Sequence, residues 1–359
     1  MKKLLTLILS LSLVLGMTAC APAAPVEPSK PVAGTETQTP ETPDENDITG
    51  TKDLKVAMIC DSTISDGGWG MACYNAMVDA CKKSGWSYEV TDAIDQSAYY
   101  ESIVAYCDLG YNLIYAPGNQ YTDAVLDAAE EYPDIAFALL NGAASTPEKA
   151  TNKNVTSMLP DARQIGWIAG GLAGLMTESN TIAFIGGMEL DTTRGKYDGY
   201  VEAAKYVAEQ EGKTITALDP VYAGSFSATD KGIEFAKAMM DKGADVFFGD
   251  ASAVDSGARQ AIDEANKASG AIGVYDIGQP SDLLGQNPCV ICSQVTDNSS
   301  LVGLSMKAVE DGTFGGEVIY GTLQNGVLSA GALNDLISKD IQDKYLVYID
   351  QMTEGTFLQ

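Results

Sequence analysis

The sequence predicts an α/β protein built from two doubly wound, mostly parallel sheets in two lobes. Three observations carry this. Short apolar runs of strand length alternate with stretches of helical spacing from Lys55 onward, and the scheme repeats in a second half after Thr181. The chain has 359 residues, and the portion beyond residue 52 is longer than one hydrophobic core ordinarily serves.

Taken in order, Val56–Cys60 reads as a buried strand running into a glycine-bearing loop, and Met71–Ser84 as a helix whose apolar face holds Tyr74, Met77, Val78 and Cys81. Strands are expected at Trp86–Val90, Asn112–Ala116, Ile135–Leu140 and Val155–Met158, with helices at Ser97–Leu109 and Asp123–Tyr132. A helix over Ala162–Met176 carries Gly170 and Gly174 on one face. The second half places strands at Thr181–Ile185, Ile215–Asp219, Asp245–Phe248 and Ala271–Tyr275, and helices at Gly199–Glu211, Ala228–Lys242 and Ser256–Lys267. Asn298–Asp311 is a further helix.

In an open parallel sheet a ligand sits outside the carboxyl ends of the strands. Those ends read Asp61, Pro117-Gly118-Asn119, Asn141-Gly142, Gly186-Gly187-Met188, Asp250 and Asp276. Side chains that hydrogen-bond, and glycines that admit a ligand close to the backbone, recur there in both halves. Each alone also suits an ordinary turn. With Asp66 and Trp69 in the first loop, they outline a cleft between the lobes.

The first residues address the chain for export. Lys2 and Lys3 precede the apolar run Leu4–Met17, too short to span a bilayer, and Ala19-Cys20 follows. This reads as a signal peptide over residues 1–19 with Cys20 as the lipid-bearing residue of a bacterial lipoprotein. From residue 20 to 52 the chain is rich in Pro, Thr, Glu and Ala without apolar periodicity, the composition of a disordered tether.

The net charge is −27 and there is no histidine. That charge opposes nucleic acid and anionic membrane surfaces. The missing histidine excludes Ser-His triads and removes the commonest metal ligand. No metal or cofactor is expected. Cys60, Cys73, Cys81, Cys107, Cys289 and Cys292 lie in apolar patterns and read as buried free thiols, since Cys289 and Cys292 point to opposite faces of a strand.

Several blocks, in order, resemble the basic membrane protein family of substrate-binding lipoproteins. Asp66-Gly67-Gly68-Trp69 with Tyr74 resembles the family's first-helix signature. Tyr121-Thr122-Asp123-Ala124, Glu131-Tyr132-Pro133-Asp134, Asn154-Val155 and Ile168-Ala169-Gly170 follow its middle blocks. Phe184-Ile185-Gly186-Gly187-Met188, Gly224-Ser225-Phe226 and Gly243-Ala244-Asp245-Val246 resemble its second half.

The resemblance implies a type I periplasmic-binding-protein fold, two lobes joined by a three-segment hinge, with crossovers near Ser157, Cys292 and Gly315. Lobe 1 would take residues 53–157 and 292–315, and lobe 2 residues 158–291 and 316–359. It implies a monomeric receptor, lipid-anchored outside the cytoplasm, that passes a nucleoside to an ABC permease. Trp69 and Phe226 would clasp the base, and two rings closing on a planar heterocycle bury large area at small entropic cost. Asp61, Asp66, Asn119 and Asp250 would serve ribose or ring N–H groups, with Gly118, Tyr121, Asn141, Gly187 and Asp276 beside them. Met188 packs either on the ligand or in the lobe interface.

Gly70, Gln164, Ala228, Tyr275 and Thr296 stand where the family carries polar or charged partners. A nucleobase or another small cyclic solute therefore stays open as the ligand. Other classes considered are a sensor and a nucleoside-hydrolysing enzyme using paired carboxylates such as Asp61 and Asp66. The enzyme lacks a histidine, a phosphate loop or a metal cluster to support it.

Overall fold

Buried apolar runs become the central strands. The computed structural model describes residues 50–65, 68–144 and 153–357; the expected signal peptide, Cys20, the tether and Asp66 lie outside them. In lobe 1, β1 (Lys55–Ile59), β2 (Ser87–Thr91), β3 (Leu113–Ala116), β4 (Ala136–Leu140) and β5 (Val155–Pro160) alternate with α1 (Trp69–Ser84), α2 (Tyr99–Asp108) and α3 (Thr122–Glu131). Every residue of β3 and β4 is buried, as strands covered by helices on both faces require.

Lobe 2 follows with α4 (Ala162–Met176), β6 (Thr181–Gly186), α5 (Asp191–Gln210), β7 (Thr216–Ala217), β8 (Val221–Tyr222), α6 (Thr229–Met240), β9 (Val246–Asp250), α7 (Ala253–Ser269), β10 (Tyr275–Gly278) and β11 (Val290–Thr296). The chain then forms α8 (Asn298–Glu310), β12 (Val318–Gly321), β13 (Leu328–Ala330) and α9 (Lys339–Glu354).

The first sheet has the order β12-β5-β4-β3-β1-β2 and its pairs are parallel. The second runs β13-β11-β10-β9-β6-β7, with β8 also on β6 and β13 antiparallel at the edge. Both orders are doubly wound, and the direction of winding reverses between β1 and β3 in one sheet and between β6 and β9 in the other. Such switch points open a crevice at the strand ends.

α4 and α5 pack with their backbones nearly touching. A Cβ at Gly166 would stand 2.2 Å from the Lys196 carbonyl oxygen, and one at Gly170 2.2 Å from that of Tyr200. The small residues therefore serve close helix packing. Asp161 caps α4, its Oδ1 accepting from the amides of Arg163 at 3.0 Å and Gln164 at 3.1 Å.

Four expectations shift. The crossovers fall after Pro160, Thr296 and Gly321 rather than near Ser157, Cys292 and Gly315, because β5 and β11 run on and β12 pairs with β5 in the lobe 1 sheet. Residues 318–321 thus belong with lobe 1, not lobe 2. The crossing segments are laced together: Asp161 N donates to Gly321 O at 2.8 Å, and Asp297 N to Val327 O at 2.7 Å.

α5 begins at Asp191, eight residues before the expected Gly199, where a polar stretch interrupted by Gly195 hides the helical signal. The strand expected at Ala271–Tyr275 is displaced to β10. Asn266 is the reason: its Oδ1 accepts from Gly273 N and Val274 N, both at 3.0 Å, and its Nδ2 donates to Val274 O at 2.8 Å. That stretch is bonded to a side chain instead of a neighbouring strand. Finally, the strand expected at Ile215–Asp219 is shortened to β7, and β8 follows it beyond that range.

The six cysteines within the described residues are buried and form no disulfide. Cys289 and Cys292 belong to the cores on opposite faces of the second sheet. Burial pushes the thiols of Cys81, Cys107 and Cys292 up to about 12, so they remain protonated.

Candidate functional site

At the lobe 1 switch point the carboxylate of Asp61 is exposed and supported from beneath. Its Oδ2 accepts from Gln120 Nε2 at 3.0 Å and Tyr99 Oη at 3.2 Å, and its backbone N–H donates to Tyr121 Oη at 2.8 Å. Burial, reinforced by the Asp61 charge, pushes both phenols up, keeping Tyr99 and Tyr121 neutral. Tyr121 is fully buried. Its hydroxyl is spent on the backbone of Asp61, and its side chain has no exposed surface.

Gly118 is buried, and a Cβ there would meet the Gln120 side chain at 2.2 Å. The glycine leaves Gln120 free to reach Asp61. Asn119 is exposed, its Oδ1 accepting from Thr122 Oγ1 at 3.3 Å.

Trp69 is the first residue of α1 and half-buried, its indole N–H donating to Pro117 O at 2.7 Å. That bond fixes the ring beside the end of β3. Asn141, after β4, has φ of +60°, a left-handed conformation that asparagine tolerates better than most residues.

The lobe 2 switch point joins β6 to β9 directly, Gly187 N donating to Asp250 O at 2.9 Å. The Phe226 ring lies on Gly187: a Cβ there would stand 2.3 Å from it. Phe226 and Met188 are both exposed.

Asp250 is the centre of a polar cluster. It accepts from Lys196 Nζ at 2.8 Å and Thr193 Oγ1 at 2.8 Å, while Gln279 Nε2 lies 3.4 Å away. Lys196 Nζ also donates to Gln279 Oε1 at 2.9 Å, and Gln279 Nε2 donates to Gly249 O.

Asp276 does not stand at a strand end. It is buried inside β10, where its Oδ2 takes a hydrogen bond from Arg259 Nε at 2.7 Å. The strand ends three residues later than expected, which moves the position after it to Gln279, correcting the expected role of Asp276. Behind it, Asp255 Oδ2 accepts from Ala251 N at 2.8 Å. Burial pushes the Asp255 carboxyl up to about 7 against the opposing charge of Arg259.

A small cavity of about 20 Å³, room for little more than a water molecule and partly open to solvent, lies where the lobes meet. Trp69 and Asn141 line it from lobe 1, Lys196 and Gln279 from lobe 2, and Pro160 and Thr296 from the crossing strands. Of the expected site residues, Trp69 and Asn141 come together in it, and Asp250 reaches it through Lys196. Asp61, Gly118, Asn119, Gly187, Met188 and Phe226 stand on the facing switch points outside its lining. Lys196 and Gln279 escaped sequence reasoning because the first turns of α5 and the position of β10 were misplaced.

Among the described residues no cluster of potential metal ligands occurs, and no helix is long and apolar enough to cross a membrane.

Residues 53–353 match the family described as ABC transporter substrate-binding protein, PnrA-like. The ABC transporter nucleoside-binding protein BmpA of Lactococcus lactis is 28% identical over 311 residues, covering 81% of this chain and 84% of that protein. The transcriptional activator protein med of Bacillus subtilis is 26% identical over 293 residues, covering 81% of this chain and 86% of the relative. Among solved structures, an ABC transporter solute-binding protein of Aeropyrum pernix aligns with a TM-score of 0.73 at 20% identity, covering 84% of this chain and 92% of that one.

Proposed function

The chain belongs to the family of PnrA-like ABC transporter substrate-binding proteins, and from that premise we propose that it binds a nucleoside, with purines favoured, between its lobes. The observation that carries this reading is the pocket lined together by Trp69 from lobe 1 and by Lys196 and Gln279 from lobe 2, which opening of the lobes would widen to admit a solute. An aromatic face beside a few fixed polar groups suits a planar, hydrogen-bonding solute.

In this reading the protein performs no chemistry. Closure about the laced crossovers brings Phe226, on its Gly187 seat, toward the free face of a base that rests on Trp69. Asp61, braced by Tyr99 and Gln120, accepts ribose hydroxyls, as an ionised carboxylate can. The closed form delivers its solute to an ABC permease outside the cytoplasm, the chain being monomeric and tethered by lipid on Cys20. The relative named a nucleoside-binding protein supports the solute class.

A thermal-shift screen against nucleosides, nucleobases, sugars and amino acids tests the reading. A solute at one hundred times its Kd adds about 2.7 kcal/mol of stability. Raised melting temperatures confined to nucleosides support it; a shift from another class alone, with nucleosides silent, overturns it.

A further inference from the structure

We propose that Lys196 is a specificity-determining residue that reads the acceptor edge of a 6-oxopurine, so that inosine and guanosine are preferred to adenosine. This inference rests on the nucleoside reading above. Among the described residues, Lys196 is the one charged side chain lining the pocket that also holds Trp69.

Its position is fixed from both ends. The backbone is pinned where α5 lies against Gly166, whose Cβ would come within 2.2 Å of the Lys196 carbonyl oxygen. The ammonium is held by Asp250 Oδ1 at 2.8 Å and Gln279 Oε1 at 2.9 Å. An ammonium carries three N–H donors, so one remains for a solute.

The acceptors beside the ammonium are already turned toward their own partners. Asp250 is engaged by Thr193 and Lys196, and the Gln279 amide is oriented by its bonds to Gly249 O and Lys196. The pocket edge beside the indole therefore presents a cationic donor. A 6-oxopurine offers two acceptors on one edge, N7 and O6, whereas a 6-aminopurine offers N7 and an amino donor. The amino group would oppose the ammonium donor to donor. The Asn141 amide and the hydroxyls of Thr192 and Thr296 also line the pocket, and each group can donate or accept, so they do not discriminate.

The test is calorimetric titration of the protein with inosine, adenosine and 7-deazainosine, repeated with Lys196→Met. For the unmodified protein, inosine should bind at least about tenfold tighter than adenosine, and replacing N7 by carbon should weaken inosine by about tenfold. These comparisons are independent of whether the variant folds. Lys196→Met should weaken inosine about tenfold and adenosine by less than about threefold. Equal binding of inosine and adenosine, or equal loss of both in the variant, overturns the role of Lys196 while leaving the nucleoside reading in place. Failure of every nucleoside to bind is a separate result, overturning that reading and this inference with it.

Discussion

Lys196 Nζ stands 2.8 Å from Asp250 Oδ1, both side chains largely withdrawn from water, and the pair joins the first turns of α5 to the end of β9. An ion pair in this setting is weak evidence for stability in itself, because desolvation offsets the attraction. Breaking one side is another matter. Asp250→Ala leaves the ammonium with Gln279 alone, and the chain should lose about 1–3 kcal/mol in urea unfolding with an unchanged m value. An unchanged midpoint would show that the pair is not maintained in solution.

Gly166 sets where that lysine stands. A methyl group there would meet the Lys196 carbonyl oxygen at 2.2 Å, a backbone atom that cannot turn aside. Gly166→Ala should force α4 and α5 apart, lower stability by about 1–3 kcal/mol, and weaken solute binding as Lys196 moves. Thermal unfolding and titration of the same sample check both effects, and a variant of full stability would mean that the helices are not so closely packed.

Phe226 tests the lobe 2 half of the proposed clasp. Its ring is exposed on one side and rests on Gly187 on the other. Phe226→Ala should reduce nucleoside affinity by about 1–3 kcal/mol, the range for losing a stacking surface, with little change in melting temperature without solute. Gly187→Ala should lower affinity also, because its Cβ would displace the ring. Full affinity in both variants would remove Phe226 from the site.

Asp255 gives stability a pH dependence whose sign is fixed. Its carboxyl is raised from 3.8 to about 7 in the folded chain, chiefly by burial. A raised acid holds its proton more tightly when folded, so its contribution is full below the unfolded value and is lost as pH rises toward about 7. At about 1.4 kcal/mol per pKa unit, the loss is about 4 kcal/mol. Asp255→Asn removes the titration, so stability relative to the parent should rise by that order between pH 4 and pH 8. Urea unfolding across that range checks it, and a constant difference between the two proteins would contradict the assignment.

Much of this architecture was legible in the sequence because each signal was local. The run Val56–Cys60, the helix Ala162–Met176 and the buried thiols follow from apolar spacing, and the helix expected from Met71 begins only two residues earlier, at Trp69. What was missed depends on contacts distant in sequence or on side chains substituting for a ladder. Asn266 bonds the backbone of Gly273 and Val274 and so delays β10, which puts Asp276 inside the strand and Gln279 just past its end. The first turns of α5 are too polar to show a helical stripe, yet close packing on glycines holds them and places Lys196 at the pocket. Tyr121 resembled a ligand contact because it belongs to a family block, while its hydroxyl is bonded to the backbone of Asp61.

The most direct measurement of the proposed site is a titration of intrinsic fluorescence with inosine, run on the protein and on Trp69→Phe, with binding followed in parallel by calorimetry. Trp86 and Trp167 remain in both and lie outside the pocket lining. A base resting on Trp69 predicts a saturable change in emission in the parent that is lost in the variant, while calorimetry still detects binding to the phenyl ring. The same emission change in both proteins, or calorimetric binding to the parent without any change in its emission, would contradict a solute seated against Trp69.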